Sequence, residues 1–287
     1  MTANAANGLA ITQQIWHNQP QKHPIHLVIL NLMPTKVTTE LQFLKCFNDL
    51  KQDVTLTFLY PQSHHFKNSS LDELEEYYFN LHQVSNQDFD GLIVTGAPVE
   101  KLAFTQVDYW LEFNRLITWA THHVREALFE CWAAQASLFV DFKIPKKQLR
   151  NKLFGIFTAT NINPHSRLTQ NFTIKKHIKM PQSRYSTSIL DQNHLPGDLK
   201  VIIDSQEAGP MILRSASHHH TYITGHPEYD DDTLAQEYYR DQQKQITINP
   251  PQHYFSDQTI KQVDYSWQAT SHLIYQNWLN IIEHATA

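Results

Sequence analysis

The chain has 287 residues, of which 41% are hydrophobic and 18% are charged. This apolar content is sufficient for a sizeable core and excludes a disordered chain. The formal net charge of -5 is spread without long runs of one sign, which excludes nucleic acid and anionic membranes as expected partners.

Apolar runs and helical spacings predict alternating strands and helices after a polar N-terminal arm of residues 1–25. We expect this arm to be loose or peripheral, and residues 26–287 to form a single domain. Predicted strands cover residues 26–32, 54–60, 89–96, 127–130, 201–204, 211–215 and 222–225. The first predicted helix starts at residue 38 or 39, and further helices cover residues 71–81, 107–121, 132–141, 233–245 and 267–283, with a less regular stretch in the middle of the chain.

The alternation of strands and helices predicts an α/β fold of the flavodoxin-like kind, a parallel sheet with helices on both faces. In such sheets, ligands bind beyond the carboxyl ends of the strands. Four segments of the sequence are expected at that edge: Met33-Pro34, Gly96 to Pro98, Cys131 and His226. The sequence therefore predicts one site built from separate segments.

The sequence contains two cysteines, Cys46 and Cys131, which is too few for a disulfide framework. The first residues lack a basic segment followed by an apolar stretch, and no apolar run reaches the roughly 18 residues of a membrane span. We therefore expect a reduced, cytoplasmic protein without a membrane-spanning segment.

Cys131 lies between a short predicted strand and a predicted helix, which is the position of a nucleophile on a strand-to-helix turn. The N-terminus of the helix favours a thiolate there. The backbone N–H of Trp132 is the natural donor to an oxyanion, and Ala97 in the loop after Gly96 is a second candidate. The alternative is a buried structural cysteine.

His226 follows the last predicted strand and is a candidate general base for the thiol. Glu228, two residues further on, is in a position to fix the tautomer of the imidazole. The alternative is that His226 is one of 18 histidines with no chemical role. A cysteine and a histidine at the same sheet edge favour the catalytic interpretation.

Other kinds of site have less support in the sequence. The spacings typical of metal ligands and the glycine-rich loops that bind phosphate do not occur, so neither a metal nor a permanently bound cofactor is expected. Arg184 and Arg240 are candidates to bind a substrate carboxylate, with a surface ion pair as the alternative for each.

Five motifs in the sequence together resemble the homoserine O-acyltransferase family. They are Asn31-Leu-Met-Pro-Thr-Lys36, Gly91-Leu-Ile-Val-Thr-Gly-Ala-Pro98, Cys131-Trp-Ala-Ala-Gln135, Ser183-Arg-Tyr185 and Thr224-Gly-His-Pro-Glu-Tyr-Asp230, within a similarity that covers residues 26 to 282. The resemblance implies a class I glutamine-amidotransferase-like fold, a homodimer and an enzyme that activates homoserine for methionine synthesis.

The resemblance also implies a role for individual residues. It identifies Cys131 as the acyl-thioester nucleophile, His226 as the general base and Glu228 as its partner. It implies substrate-binding roles for Lys152, Ser183 and Arg240, and it makes Lys36 a candidate for the acyl pocket. Glu100 matches the position at which the family separates its donors, where glutamate goes with acetyl-CoA and glycine with succinyl-CoA. A glutamate would repel the succinyl carboxylate, so we expect acetyl-CoA as co-substrate.

The sequence departs from the family pattern on the acceptor side and beside the nucleophile. Gln182 and Phe157-Thr-Ala159 replace the residues usual in the family, so serine remains an alternative acceptor, with its ester feeding cysteine synthesis. Glu130 precedes Cys131 where the family usually has an apolar residue, and the sequence leaves its role open. A glutamine amidotransferase-type cysteine hydrolase is the further alternative.

Overall fold

The computed structural model describes residues 2–66, 70–172, 178–256 and 262–285. The strands are β1 (Ala3–Ala5), β2 (Ile25–Leu30), β3 (Val54–Leu59), β4 (Phe89–Val94), β5 (Val124–Glu130), β6 (Lys146–Thr158), β7 (Asn161–Ile162), β8 (Lys179–Ser188), β9 (Lys200–Ser205), β10 (Gly209–Ser215) and β11 (His220–Ile223). The helices are α1 (Leu9–Thr12), α2 (Lys36–Asn48), α3 (Leu71–Tyr77), α4 (Trp110–His123), α5 (Trp132–Phe142), α6 (Thr233–Gln243) and α7 (Gln268–His284).

A nine-stranded sheet in the order β1-β3-β2-β4-β5-β11-β10-β9-β7 forms the centre of the described structure. The first six strands in this order, which end with β11, pair in parallel with their neighbours. Successive residues of a strand point to opposite faces of a sheet. In β2, Leu27 and Ile29 pack with α2 and α7, whereas Val28 and Leu30 pack with α4 and α5. The predicted α/β fold with helices on both faces is confirmed.

The sheet is nevertheless not parallel throughout, which differs from the expectation drawn from the sequence. Strand β10 runs antiparallel to both β9 and β11, and β7 runs antiparallel to β9. Residues 206–208 join β9 to β10 and residues 216–219 join β10 to β11. Connections this short allow only antiparallel neighbours, because a parallel pair needs a crossover of a dozen or more residues.

The middle of the chain, expected to be less regular, forms a separate antiparallel ribbon of β6 and β8. Gly155 in β6 has a φ of 140° and lies against the backbone of Gln252, where a Cβ would come within 2.3 Å of the Gln252 carbonyl oxygen. Only glycine permits this approach. The ribbon is thereby fixed beside the carboxyl edge of the sheet.

The N-terminal arm, predicted to be loose or peripheral, contributes an edge strand and a short helix to the described structure. Strand β1 pairs in parallel with β3 at the edge of the sheet. The buried carboxylate of Glu40 accepts hydrogen bonds from the backbone N–H groups of Leu9 and Ala10, which fixes the start of α1. The division of the chain into this arm and a single domain of residues 26–287 stays a prediction. Among the described residues, no helix combines the length and apolar character needed to cross a membrane.

Candidate active site

Cys131 forms a sharp turn between β5 and α5. Its backbone has a φ of 50° and a ψ of -111°, a conformation that side-chain-bearing residues rarely adopt. The backbone N–H of Cys131 donates to the carbonyl oxygen of Ile223 at 2.8 Å, which ties the turn to β11. Strained backbone of this kind is found at functional sites, where it exposes a nucleophile at the N-terminus of a helix.

His226 and Glu228 form a buried pair directly after β11. The Nδ1 atom of His226 lies 2.7 Å from Oε1 of Glu228, and both side chains are almost fully buried. Gly225 allows the loop to cross β8, because a Cβ there would lie 2.4 Å from the carbonyl oxygen of Pro181. The ring of Tyr229 stacks on the imidazole with centroids 4.2 Å apart and limits its rotation.

The imidazole of His226 also lies beside the side chain of Cys131, close enough for the thiol to affect its pKa. Burial lowers the pKa of His226, but the negative charge of a Cys131 thiolate and the hydrogen bond to it act in the opposite direction, and the net pKa is raised. A raised pKa is suited to a base that takes the proton of the thiol. The structure thus joins thiol, imidazole and carboxylate in one chain.

Gly96, in the loop after β4, lies against the side chains of both Cys131 and His226. A Cβ on Gly96 would lie 3.0 Å from Cε1 of His226 and 3.1 Å from Cβ of Cys131. A side chain would therefore intrude on the contact between thiol and imidazole. The absence of a side chain also brings the backbone of Ala97 to the edge of the site.

A cavity of about 500 Å³ opens at this edge of the sheet. Most of the predicted site residues line it: Ala97, Glu100, Cys131, Lys152, Ser183, His226 and Arg240. Three separate parts of the fold supply them. The loops at the sheet edge contribute Ala97, Glu100, Cys131 and His226, the ribbon contributes Lys152 and Ser183, and α6 contributes Arg240. The convergence predicted from the sequence is therefore present, and the ribbon, which was not predicted, is one of its sources.

Lys152 and Ser183 are held by a carboxylate that was not predicted as a site residue. Glu237 Oε2 accepts from Nζ of Lys152 at 3.0 Å and from Oγ of Ser183 at 2.5 Å, while Oε1 accepts from the hydroxyl of Tyr229 at 2.7 Å. Burial raises the pKa of Glu237, but Lys152 and the two hydroxyls lower it by more, and the net pKa is below its ordinary value. Its spacing of three residues from Arg240 on one helical face was the available signal.

Arg240 lies at the mouth of the cavity with its side chain half exposed. Its Nε and Nη2 atoms bond to the carboxylate of Asp241 at 2.8 and 2.7 Å. Burial lowers the pKa of Arg240, but the hydrogen bonds and charge of Asp241 raise it, and the net pKa is above its ordinary value. The guanidinium is thus a permanent positive charge that faces the cavity.

Arg184 occupies a different position from the one its predicted role requires. It is buried, it does not line the cavity, and its Nε, Nη1 and Nη2 donate to Oε1 of Gln182 and to the carbonyl oxygens of Ser186 and Ala208. Burial lowers the pKa of Arg184 to about 10. Arg184 therefore ties the middle of β8 to the turn before β10, and a carboxylate in the cavity does not meet it.

Two further predicted residues lie beside the cavity. Lys36 lines an adjoining pocket, where its Nζ donates to the carbonyl oxygen of Asn31, and burial lowers its pKa to about 7. Met33 and Pro34 belong to both pockets. Trp132 is the first residue of α5, so its backbone N–H lies at the start of the helix that follows the thiol, while its side chain is buried in the core.

The fold and this arrangement define a class of protein. Solved structures similar to the chain include a glutamine amidotransferase from Thermotoga maritima, with a TM-score of 0.57 and 11% identity over 91% of this chain and 99% of the other. A glutamine amidotransferase from Methylobacillus flagellatus has a TM-score of 0.58 and 12% identity over 90% and 94%. At such identities the likeness concerns the fold alone, which is that of the class I glutamine amidotransferases.

Sequence comparison gives the family. The sequence model of the Homoserine O-succinyltransferase family matches residues 4–287. A homoserine O-acetyltransferase from Bacillus subtilis is 37% identical over 91% of this chain and 85% of its own length, and a homoserine O-succinyltransferase from Proteus mirabilis is 38% identical over 90% and 83%. The chain belongs to the homoserine O-acyltransferase family and is an acyltransferase.

Proposed function

We propose that this protein is a homoserine O-acetyltransferase that carries the acetyl group on Cys131. The observation that supports the proposal most directly is the meeting of Cys131, His226 and Glu100 in one cavity. The first two residues supply a nucleophile and its base. The third supplies a negative charge where the acyl group of the donor enters.

Glu100 is the basis for acetyl-CoA as the donor. A succinyl group ends in a carboxylate, and a glutamate carboxylate in the same cavity would repel it and occupy its space. An acetyl group ends in a methyl and meets no such penalty. The family contains enzymes named for both acyl groups, so this residue is the feature of the chain that favours one of them.

In the first half-reaction, His226 takes the proton of the Cys131 thiol and the sulfur attacks the acetyl carbonyl carbon. The backbone N–H groups of Trp132 and Ala97 are our candidates to stabilise the oxyanion of the tetrahedral intermediate. The bond between the carbonyl carbon and the sulfur of coenzyme A then breaks. The leaving thiolate takes the proton from His226, and an acetyl thioester on Cys131 remains.

In the second half-reaction, the hydroxyl oxygen of the acceptor attacks the thioester while His226 takes the hydroxyl proton. The carbon–sulfur bond to Cys131 breaks, the thiolate recovers that proton, and the O-acetyl amino acid leaves. Glu228 stabilises the imidazolium that exists between the two transfers, as a carboxylate does in a catalytic triad.

The charges around the cavity are suited to an amino-acid acceptor. Arg240 and Lys152 provide positive charge for the carboxylate, and Glu237 and Asp241, which pair with them in the structure, provide negative charge for the ammonium group. The relatives named above favour homoserine over the shorter serine. We infer a role in methionine biosynthesis in the cytoplasm, and we expect a homodimer, which light scattering of the purified protein tests.

The test is the release of coenzyme A with acetyl-CoA or succinyl-CoA as donor and L-homoserine, L-serine or L-glutamine as acceptor or substrate. We expect turnover with acetyl-CoA and homoserine, and intact-mass measurement of the protein with acetyl-CoA alone should show one added acetyl group. Cys131→Ser should lose the thioester, whereas Cys46→Ser is the matched control and should keep it. Turnover with serine alone would redirect the proposal to cysteine synthesis, and hydrolysis of glutamine without acyl transfer would overturn it.

A pair of variants tests the donor separately. Glu100→Gly removes both the charge and the bulk of the side chain and should raise the kcat/KM for succinyl-CoA, whereas Glu100→Gln removes the charge alone. A gain in both variants would indicate repulsion as the main cause, and a gain in Glu100→Gly alone would indicate space. No change in donor preference in either variant would contradict the role of Glu100.

A further inference from the structure

A second buried carboxyl group lies behind the Cys131–His226–Glu228 chain. Glu130 is the last residue of β5, directly before the nucleophile, and its side chain is fully buried. Its Oε1 atom accepts a hydrogen bond from the hydroxyl of Tyr275 on α7 at 2.7 Å. Burial of a carboxylate with a single donor is costly, so the state of its other oxygen matters.

That other oxygen has a counterpart on Glu228. The side chains of Glu130 and Glu228 lie close enough for each to shift the pKa of the other, with Glu130 as the donor of a hydrogen bond to Glu228. Oε1 of Glu228 is occupied by His226, and Oε1 of Glu130 by Tyr275. Within the described residues, no N–H or O–H donor reaches the buried Oε2 atom of either carboxyl group. Two buried carboxyl groups that act on each other in this way, each with an oxygen that no donor reaches among the described residues, favour a proton shared between them, as in other pairs of carboxyl groups that share a site.

We propose that Glu130 is a positioning residue of this enzyme, which as a neutral acid donates its proton to Oε2 of Glu228 and so fixes the carboxylate that orients His226. The pair then carries one negative charge in total, and both orphan oxygens are satisfied by one hydrogen bond. Glu130 acts through Glu228 and touches neither substrate.

The electrostatics agree with a proton on Glu130. Burial raises the pKa of Glu130 well above its ordinary value, and repulsion by Glu228 raises it further. Burial raises the pKa of Glu228 to about 8, and hydrogen bonds from its own backbone N–H and from Glu130 act in the opposite direction. The titratable groups that face the pair are Tyr275 on α7, Cys46 on α2, Cys131 at the start of α5, His226 and Tyr229 after β11, and Glu237 on α6.

The inference rests on the proposed role of His226 as base but not on the identity of donor or acceptor. The test therefore follows alkylation of Cys131 by iodoacetamide, which needs neither substrate, in a Cys46→Ser background. Glu130→Gln keeps a donor for Glu228 and an acceptor for Tyr275. Glu130→Met has a similar length and offers neither.

We expect Glu130→Gln to keep the rate of alkylation at neutral pH and its pH midpoint. Glu130→Met should react about tenfold more slowly, because Glu228 is left with an unsatisfied buried oxygen. Its midpoint should move to higher pH, because a less stable Glu228 carboxylate supports the imidazolium less well. Equal behaviour of the two variants would show that Glu130 only fills space, and a moved midpoint in Glu130→Gln would show that the residue carries a charge. Either result overturns the proposal.

Infrared spectroscopy provides a test that does not depend on the thiol. A protonated carboxylic acid gives a C=O band at neutral pH that an ionised carboxylate lacks. The difference between wild type and Glu130→Gln should contain this band. Tyr275→Phe leaves Glu130 intact, removes one hydrogen bond to it and should move the same band to higher frequency. If the band is absent from the difference spectrum, or does not move in Tyr275→Phe, the proton is not on Glu130.

Discussion

A neutral Glu130 makes the stability of the protein depend on pH in a way that one substitution should remove. The ordinary pKa of this carboxyl is 4.5, and burial raises it well above that value in the folded protein. Above pH 4.5, the unfolded chain therefore releases a proton that the folded chain keeps. The free energy of unfolding then falls as pH rises, by up to ~1.4 kcal/mol per pH unit for one proton. The full contribution of Glu130 is present only below its unfolded pKa.

Glu130→Gln has no proton to release at this position, so its unfolding free energy lacks this loss. Relative to wild type, the variant should gain stability as the pH rises from 5 to 7, by at most about 3 kcal/mol, which is the product of the slope and two pH units. Urea unfolding curves of both proteins at pH 5, 6 and 7 measure this difference. The slope of free energy against urea concentration should be the same for both, since the surface exposed on unfolding is the same.

The control is Glu75→Gln, which replaces an exposed glutamate on α3. Its stability should follow that of wild type in parallel across the same pH range. The reasoning about Glu130 is refuted if Glu130→Gln also runs parallel to wild type, because the native residue would then be ionised over this range. A gain that is constant with pH would indicate better packing and not a retained proton.

Three other variants test different parts of the structure. Gly96→Ala should lower kcat/KM by about tenfold or more with a small change in stability, because its methyl group would displace the side chains of Cys131 and His226, the proposed nucleophile and base, by a few tenths of an ångström. Arg214→Ala should lower the free energy of unfolding by about 3 kcal/mol, measured by urea denaturation, since it leaves the buried carboxylate of Glu126 without its bidentate partner. Glu237→Gln should slow the acceptor half-reaction about tenfold more than formation of the acyl-enzyme in rapid-mixing experiments, because its charge holds the lysine and serine of the cavity.

The parallel half of the fold could be predicted because its signals are local. Continuous apolar runs become β2, β3 and β4 within one or two residues of the predicted bounds. The direction of β9 to β11 depends on connection length, which the pattern of apolar residues does not encode. The ribbon of β6 and β8 has polar residues on much of its surface, and its position is fixed by a contact between Gly155 and Gln252, two residues that are far apart in the sequence.

The candidate site could be predicted where motif and topology coincide. Cys131 and His226 end adjacent parallel strands, so the fold alone brings them together. Arg184 shows the limit of this reasoning, because its neighbour Ser183 faces the cavity while Arg184 points to the other side of β8. Strand alternation predicts that opposition, but only after the strand itself has been recognised.

Strand alternation also explains why the side chain of Glu130 is buried, and its burial determines its chemistry. Leu128, two residues earlier in β5, points to the face of the sheet that packs against α7, and Glu130 meets Tyr275 on the same helix. An apolar residue is the ordinary occupant of such a face, and an isolated carboxylate there would carry a large desolvation cost. A neutral acid costs far less, provided that its hydroxyl finds an acceptor. The acceptor is Oε2 of Glu228, which no donor reaches among the described residues, so one hydrogen bond satisfies both carboxyl groups, and neither residue could be understood from its place in the sequence alone.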